Sequence, residues 1–372
     1  MKIAVVGIQG LPNKYGGFET LASKLVEGLS AVHDITVYCS APDMLGNGKL
    51  GNKLRVQDLP THYHNATLHY INCSSHGMAG MLYDMMALRH ALKNNDAIIF
   101  LGFGAGLYMS FVSSANSKKI ILNFGGLDWK RSKWSPLAKF IIKLSERLLV
   151  KKSGTIIADN TLIQDYILDT YGREASLIAY GGDQAMPEAP TTNDTQQYPF
   201  VKSKYAFAVC RIQPDNNIIM QLEAFKNASM PFVMVGNFKD SDFGMRTKEM
   251  YSKHPNLILL DAIYDTRTLN MLRSNCALYI HGHSAGGTNP SLVEAMHLGL
   301  SICAYASGYN EATTHGLAQY FTSEATLRAQ INLTDTVHLN SKKMQDIAAQ
   351  KYTWKAVVAA YEGLCNKVVE QR

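Results

Sequence analysis

A chain of 372 residues has room for two domains. At 47% hydrophobic and 18% charged it can bury full-sized cores, which excludes disorder, and it has no apolar run of about 18 residues to span a membrane. The formal charge of +6 suits phosphate-bearing ligands or an anionic membrane surface, whereas scattered basic residues and the lack of a recognition module argue against nucleic acid. The six cysteines (Cys39, Cys73, Cys210, Cys276, Cys303, Cys365) lie far apart without CxxC spacing. That argues against a zinc site or disulfide framework and for a reducing compartment. The start, MKIAVVGIQG, has no signal-peptide pattern, so a cytoplasmic protein is expected.

Lys2–Ile8 reads as a buried parallel strand, a short and almost continuous apolar run. The next loop ends in Gly16-Gly17, and FETLASKLVEGL then places Phe18, Leu21, Ala22, Leu25, Val26 and Leu29 at the helical period. Gly7 and Gly10 do not complete G-x-G-x-x-G, so this is not the dinucleotide fingerprint. Strand-like runs recur at Ile35–Cys39, Leu68–Asn72, Ala97–Leu101, Lys119–Asn123, Thr155–Ala158 and Leu177–Ala179, with helices at Met81–Leu92 and Leu162–Tyr171 among them. The alternation predicts a doubly wound parallel sheet. Within it, Ser135–Lys152 carries an apolar stripe at Leu137, Phe140, Ile141, Leu144 and Leu148, beside Lys139, Lys143, Arg147 and Lys151. Such a stripe normally packs on a core; a basic, Trp-flanked helix also suits an anionic membrane.

After Ala179 the pattern stops. The segment MPEAPTTNDTQQYP is polar and proline-bearing, so a first domain is expected over 1–182 and a linker over 183–204. Strands then recur at Tyr205–Cys210, Phe232–Gly236, Leu257–Leu260, Ala277–His281 and Ser301–Tyr305, with helices at Asn217–Lys226, Thr266–Arg273 and Pro290–Leu298, giving a second α/β domain over 205–352. Ser341–Lys351 and Trp354–Val369 read as closing helices, the last within a terminal segment 353–372. Two such domains in tandem predict a cleft, with ligands at the carboxyl ends of the strands.

The most informative stretch is YIHGHSAGGTNPSLVEAMHLG, Tyr279–Gly299. It opens as a strand, breaks at Ser284-Ala285-Gly286-Gly287-Thr288, and re-enters as a helix with Asn289 at the N-cap and Pro290 at the first helical position. Backbone N–H groups and the dipole of such a turn, near Ser291 and Leu292, suit a phosphate, and Glu294 one turn on suits ribose hydroxyls. The competing reading is a capping box of Ser291 and Glu294 with no ligand. Arg211, in AVCRIQPDNN, ends a strand and can clamp a diphosphate bidentately, or be a surface residue in a turn. Together with Gly16-Gly17 these would surround a diphosphate from both domains. Asp240-Ser241-Asp242 spells a D-x-D but reads as a solvated turn, and His281 and His283 lack a third ligand, so no metal is expected.

The order YGGFE, RIQPDNN, HSAGGTNPSLVEAM resembles family-four glycosyltransferases of the GT-B fold, nearly end to end. NFGGLDWKRSKW, IIADNTLIQDYI and LIAYGGD make it most similar to bacterial rhamnosyltransferase-like members. The resemblance implies an α/β architecture of two Rossmann-like domains facing a central cleft, the acceptor side in the first, the nucleotide sugar in the second, and the last helix returning to the first. It implies metal-independent, cofactor-free transfer with anomeric retention in bacterial surface polysaccharide synthesis. The donor would be dTDP-rhamnose, with UDP- or GDP-sugars as alternatives, and the acceptor a saccharide or lipid-linked hydroxyl at the inner membrane face. The implied donor residues are Gly16, Gly17, Arg211, Asn216, Gly286, Gly287, Thr288, Asn289, Pro290, Ser291, Leu292 and Glu294. Asp128 is the candidate for orienting or deprotonating the acceptor, against the reading that it caps a helix. There are three departures. Gly286 stands where the family often has the first glutamate of an E-x7-E pair, Asn216 where many members carry Lys, and Gly125 where relatives tend to be acidic. They keep open a non-catalytic nucleotide-sugar-binding or scaffold protein, or a GT-B epimerase; the missing glycine fingerprint disfavours a dehydrogenase.

Overall fold

The computed structural model describes residues 1–12, 16–46, 55–130, 134–331 and 340–371. Asn13, Lys14 and Tyr15 of the first glycine loop, and Arg131, Ser132 and Lys133 of the Trp-flanked segment, lie outside the described residues. The chain divides into two compact units, Met1–Ala179 with Lys355–Arg372, and Tyr180–Trp354.

In the first unit the described residues form an eight-stranded sheet: β1 (Lys2–Val6), β2 (Asp34–Ser40), β3 (His62–Tyr63), β4 (Ala66–Ile71), β5 (Ala97–Leu101), β6 (Ile120–Asn123), β7 (Thr155–Ala158) and β8 (Ser176–Leu177). The spatial order is β3-β4-β2-β1-β5-β6-β7-β8, parallel throughout except for β3 on β4. AIIFL of β5 and IILN of β6 are buried at every residue, which is why these strands read as unbroken apolar runs rather than alternating ones. The final helix, Trp354–Glu370, seats its later turns on this unit. Gly28 makes room for it, since a Cβ there would lie 2.6 Å from Val358. Asn123 Nδ2 donates to the buried Tyr361 hydroxyl at 2.6 Å, and His33 Nε2 lies 2.9 Å from Glu362 Oε1.

The basic helix runs Pro136–Lys152, with Ser135 Oγ accepting from the Ala138 N–H at its start. Its fully buried residues are Ser145, Glu146, Leu149 and Val150, whereas Leu137 and Phe140, 69% and 66% exposed, belong to the expected core stripe. The cause is a polar anchor. Glu146 accepts from Lys143 Nζ at 2.8 Å and from the hydroxyls of Tyr166 and Tyr171 at 2.8 and 2.6 Å, which draws that face inward. No helix among the described residues is long and apolar enough to cross a membrane.

In the second unit the described strands are β9 (Ala206–Val209), β10 (Phe232–Val235), β11 (Leu257–Leu260), β12 (Leu278–His281), β13 (Ile302–Tyr305) and β14 (Gln319–Phe321). They form one parallel sheet in the order β11-β10-β9-β12-β13-β14. The segment expected to be a linker, 183–204, instead folds onto this unit. It forms a helix, Thr192–Gln197, with a Thr191–Asp194 capping box, and Arg267 donates to both Asp194 oxygens at 3.1 and 2.7 Å. The unit boundary falls between Ala179 and Tyr180 rather than after Gly182. Asp240-Ser241-Asp242 is a helix start rather than a simple turn: Ser241 Oγ accepts from the Gly244 N–H at 3.1 Å and caps the helix Asp242–Tyr251.

Candidate functional site

The order of the second sheet reverses between β9 and β12, and in sheets of this kind ligands bind beyond the carboxyl ends of the two strands at such a point. Both loops singled out in the sequence leave from there. Arg211 follows β9, and the turn Ser284–Thr288 follows β12.

Hydrogen bonds weld these loops together. Ser284 donates to the Asp215 carbonyl through both its N–H, at 3.0 Å, and its Oγ, at 2.7 Å. Asn217, in the left-handed conformation, donates from Nδ2 to the Gly282 carbonyl at 2.8 Å. Gln221 Nε2 donates to the Asn216 carbonyl at 2.7 Å. The approach at Gly282 is close enough that a Cβ would lie 2.0 Å from Gln221 Nε2, so no larger residue fits there without displacing the loop.

On this frame Arg211 is exposed, and its guanidinium makes no ion pair with any described residue. Asn216 is 4% exposed, and its Nδ2 donates to the Arg211 carbonyl at 2.7 Å. Its amide therefore shapes the arginine loop, where the sequence suggested a direct donor to phosphate. Gly286 has φ of 117°, open to glycine and strained for other residues. Thr288 is buried, with its Oγ1 3.5 Å from Thr313 Oγ1.

Asn289 is the N-cap and Pro290 opens the helix Pro290–His297, as the sequence predicts. The Leu292 N–H is turned back onto the Asn289 carbonyl at 3.0 Å, so of the two amides expected to face a phosphate it is already bonded. The capping-box reading of Ser291 and Glu294 fails. Glu294 Oε2 pairs with Arg273 Nη1 at 2.5 Å, and Oε1 accepts from Gln184 Nε2 at 2.5 Å. Gln184 in turn accepts from the Trp354 indole N–H, and Asp183 Oδ1 accepts from the Trp354 backbone N–H at 2.8 Å. Arg273 and Gln184 were not singled out in the sequence. The available signal was an arginine on the buried face of the Thr266–Ser274 helix, where only a paired charge survives.

His281 is 1% exposed, and neither ring nitrogen has a hydrogen-bond partner. Burial, reinforced by the neighbouring His283 ring stacked 4.3 Å away, holds its imidazole well below the ordinary pKa and so neutral. Burial also pushes the Cys210 thiol up to about 12, which rules it out as a nucleophile. Among the described residues no group of three His, Cys, Asp or Glu side chains is placed to hold a metal.

Gly16, Gly17 and Asp128 belong to the first unit, each beyond the carboxyl ends of its strands. Gly16, with φ of 136°, precedes the helix Gly17–Leu29, and its carbonyl accepts from the Thr20 N–H and Oγ1. Phe18 of that helix reaches over β6. A Cβ on Gly125, whose φ is 69°, would lie 2.6 Å from the Phe18 ring. Any side chain at Gly125 would therefore have to displace the Phe18 ring, and the positive φ there favours glycine. Asp128 begins the short 3-10 turn Asp128–Lys130.

The sequence model of a domain of unknown function, DUF1972, matches residues 1–183. No curated protein matches the chain. Solved structures match over its whole length at low identity. Sucrose-phosphate synthase from Thermosynechococcus elongatus aligns over 100% of both chains with a TM-score of 0.77 at 13% identity. HepE from Anabaena, in complex with UDP-glucose, aligns over 100% of both chains with a TM-score of 0.71 at 14% identity. A trehalose 6-phosphate synthase from Burkholderia multivorans aligns over 100% of this chain and 98% of its own, with a TM-score of 0.70 at 9% identity. The fold is therefore GT-B, with two Rossmann-like domains.

Proposed function

We propose that this protein is a metal-independent glycosyltransferase that binds a nucleoside diphosphate sugar on its second unit. It transfers the sugar, with retention, to a hydroxyl of a saccharide or lipid-linked acceptor in bacterial surface polysaccharide synthesis. The observation that carries this reading is the switch point of the second sheet. There the loop that carries Arg211, a guanidinium with no ion pair among the described residues, and a glycine turn opening a helix are locked to each other by the Ser284–Asp215 bonds. A positive side chain and a helix N-terminus on one rigid frame suit the two charges of a departing diphosphate, whose stabilisation supplies most of the catalysis in such a transfer. HepE, complexed with UDP-glucose, shares the fold, which supports a nucleotide sugar as donor. The motifs that resemble rhamnosyltransferases favour dTDP-rhamnose. Calorimetric titration with the diphosphates of thymidine, uridine, guanosine and adenosine tests the reading. One of them binds preferentially, thymidine diphosphate for a rhamnose donor, and binding and turnover persist in chelator; binding by none removes the proposal.

Asp128 is assigned to the acceptor hydroxyl. The expected result for Asp128→Asn is a turnover reduced about a hundredfold with donor affinity near normal. Full activity in that variant takes Asp128 out of the mechanism.

A second reading, a non-catalytic nucleotide-sugar-binding protein, is favoured by one observation. Phe18 fills the space that an acidic side chain at Gly125 would need. Donor binding without turnover on any acceptor identifies that case.

The protein is assigned to the cytoplasm with peripheral contact at the inner membrane. The exposed Leu137 and Phe140, with Lys139 between them on the helix Pro136–Lys152, support this. Vesicles rich in anionic lipid should retain the wild-type chain at low salt and release Leu137→Glu/Phe140→Glu. Equal recovery of both in the soluble fraction counts against membrane contact.

A further inference from the structure

The chain passes between its two compact units twice, at Ala179-Tyr180 and at Trp354-Lys355. On the second unit's side the two passages are hydrogen-bonded to each other. The Gly182 N–H donates to the Tyr352 carbonyl at 2.9 Å, and the Trp354 N–H donates to Asp183 Oδ1 at 2.8 Å. Glycines allow this approach by size alone. A Cβ on Gly181 would lie 2.7 Å from the Trp354 ring, and one on Gly182 would lie 2.8 Å from the Glu294 backbone nitrogen. His297, on the same helix as Glu294, has its Nε2 2.8 Å from the Tyr352 carbonyl. A carbonyl only accepts, so that nitrogen carries the proton. The helix that opens the candidate nucleotide site is thus fastened to both passages.

One side chain completes the link. Gln184, half-buried, donates from Nε2 to Glu294 Oε1 at 2.5 Å and accepts at its own Oε1 from the Trp354 indole N–H. The two neighbours fix which way the amide faces. An indole N–H only donates and a carboxylate only accepts, so the amide oxygen must face Trp354 and the nitrogen Glu294. Methionine, of similar length, has no donor for the carboxylate. The bonds run in one direction, from indole to amide to carboxylate, so each polarises the next. Trp354 is buried, its ring set edge-on to Tyr180 with 6.5 Å between centroids, and Arg273 holds the other oxygen of Glu294. With an oxygen held on each side the carboxylate keeps a single orientation, and its remaining lone pairs are aimed rather than free to turn.

We propose that Gln184 is a positioning residue for the nucleotide site, holding the Glu294 carboxylate for the nucleoside and passing its state on to Trp354, where the chain crosses between units; this rests on reading the second unit as the one that binds a nucleoside diphosphate. A hydroxyl donated to Glu294 by the nucleoside draws on the same negative charge that polarises the Gln184 amide. The indole bond at the far end weakens accordingly. Trp354 then reports the occupancy of a carboxylate two hydrogen bonds away.

The test is fluorine NMR on the full chain labelled with fluorotryptophan, titrated with the diphosphates of thymidine, uridine, guanosine and adenosine beside calorimetry on the same samples. The sequence has three tryptophans, and Trp354→Phe identifies the resonance of Trp354. In the wild type that resonance should shift in step with the heat of binding. In Gln184→Met it should stay in place at saturation while affinity falls about fivefold, the equivalent of one hydrogen bond. A merely structural Gln184 would lower the urea midpoint and leave affinity as in the wild type. Affinity unchanged in Gln184→Met, or a Trp354 shift that persists in it, overturns the proposal. So does a wild-type resonance that stays in place while calorimetry shows saturation. Should Gln184→Met not fold, Trp354→Phe reads the same chain, because it keeps a ring and loses the indole N–H. Affinity lowered about threefold there supports the link, and unchanged affinity overturns it. Heat from none of the nucleotides removes the nucleotide reading of the second unit and this inference with it, whereas heat without a Trp354 shift removes the inference alone.

Discussion

Replacing Glu294 by Ala should cost about 3 kcal/mol of stability and weaken nucleoside diphosphate binding about tenfold. The stability loss comes from Arg273. Its side chain is 3% exposed, its Nε has no partner, and Glu294 Oε2 at 2.5 Å is the carboxylate it pairs with. Deleting that carboxylate strands a buried charge, which is costlier than removing the pair together. The double variant Arg273→Met/Glu294→Leu should therefore be more stable than Glu294→Ala alone. The binding loss has a separate origin, since each carboxylate oxygen can accept a second hydrogen bond and the side chain, 17% exposed, still meets solvent. Urea unfolding and calorimetry on the same preparations separate the two effects. A destabilised variant with unchanged affinity makes Glu294 a structural residue, and a variant unchanged in both removes it from the argument.

Arg211→Ala has the complementary signature: affinity for nucleoside diphosphate falls about thirty- to a hundredfold while the unfolding midpoint stays put. Arg211 is exposed and makes no ion pair with any described residue, so truncation strands no charge among them. Its loop is built from backbone and from Asn216, whose amide holds the Arg211 carbonyl at 2.7 Å, so the frame survives the loss of the guanidinium. Arg211→Lys should recover only part of the affinity, because an ammonium cannot make the two parallel bonds of a guanidinium to a diphosphate. Affinity unchanged in Arg211→Ala would assign the residue to a surface turn.

The strands were readable because buried parallel strands need no partner to announce themselves: AIIFL and TIIA fall as β5 and β7 over the same residues that their apolar runs mark. The start of the helix at Pro290 was equally local, set by Asn289 and the missing N–H of proline. What the sequence did not disclose depends on distant partners. The segment 183–204 looks like a linker because its polar residues are spent on Arg267, far along the chain. The helix Pro136–Lys152 turns a different face inward because Tyr166 and Tyr171 claim Glu146. DFGMRTKEMY has no continuous apolar stripe, and its helix is fixed by the Ser241 cap and by burial of Gly244, Thr247 and Tyr251.

The first unit is completed by residues from the far end of the chain, and that sets an order of assembly. A ribosome releases Met1–Ala179 long before it has made the helix that carries Tyr361 and Val358. Until then Asn123 lacks the hydroxyl it will donate to, and the groove beside Gly28 is open to water. The second unit is continuous in sequence and can close as soon as it emerges. The half made first is thus finished last, and its nascent form exposes an apolar groove that must be kept from other chains throughout the synthesis of the half that follows.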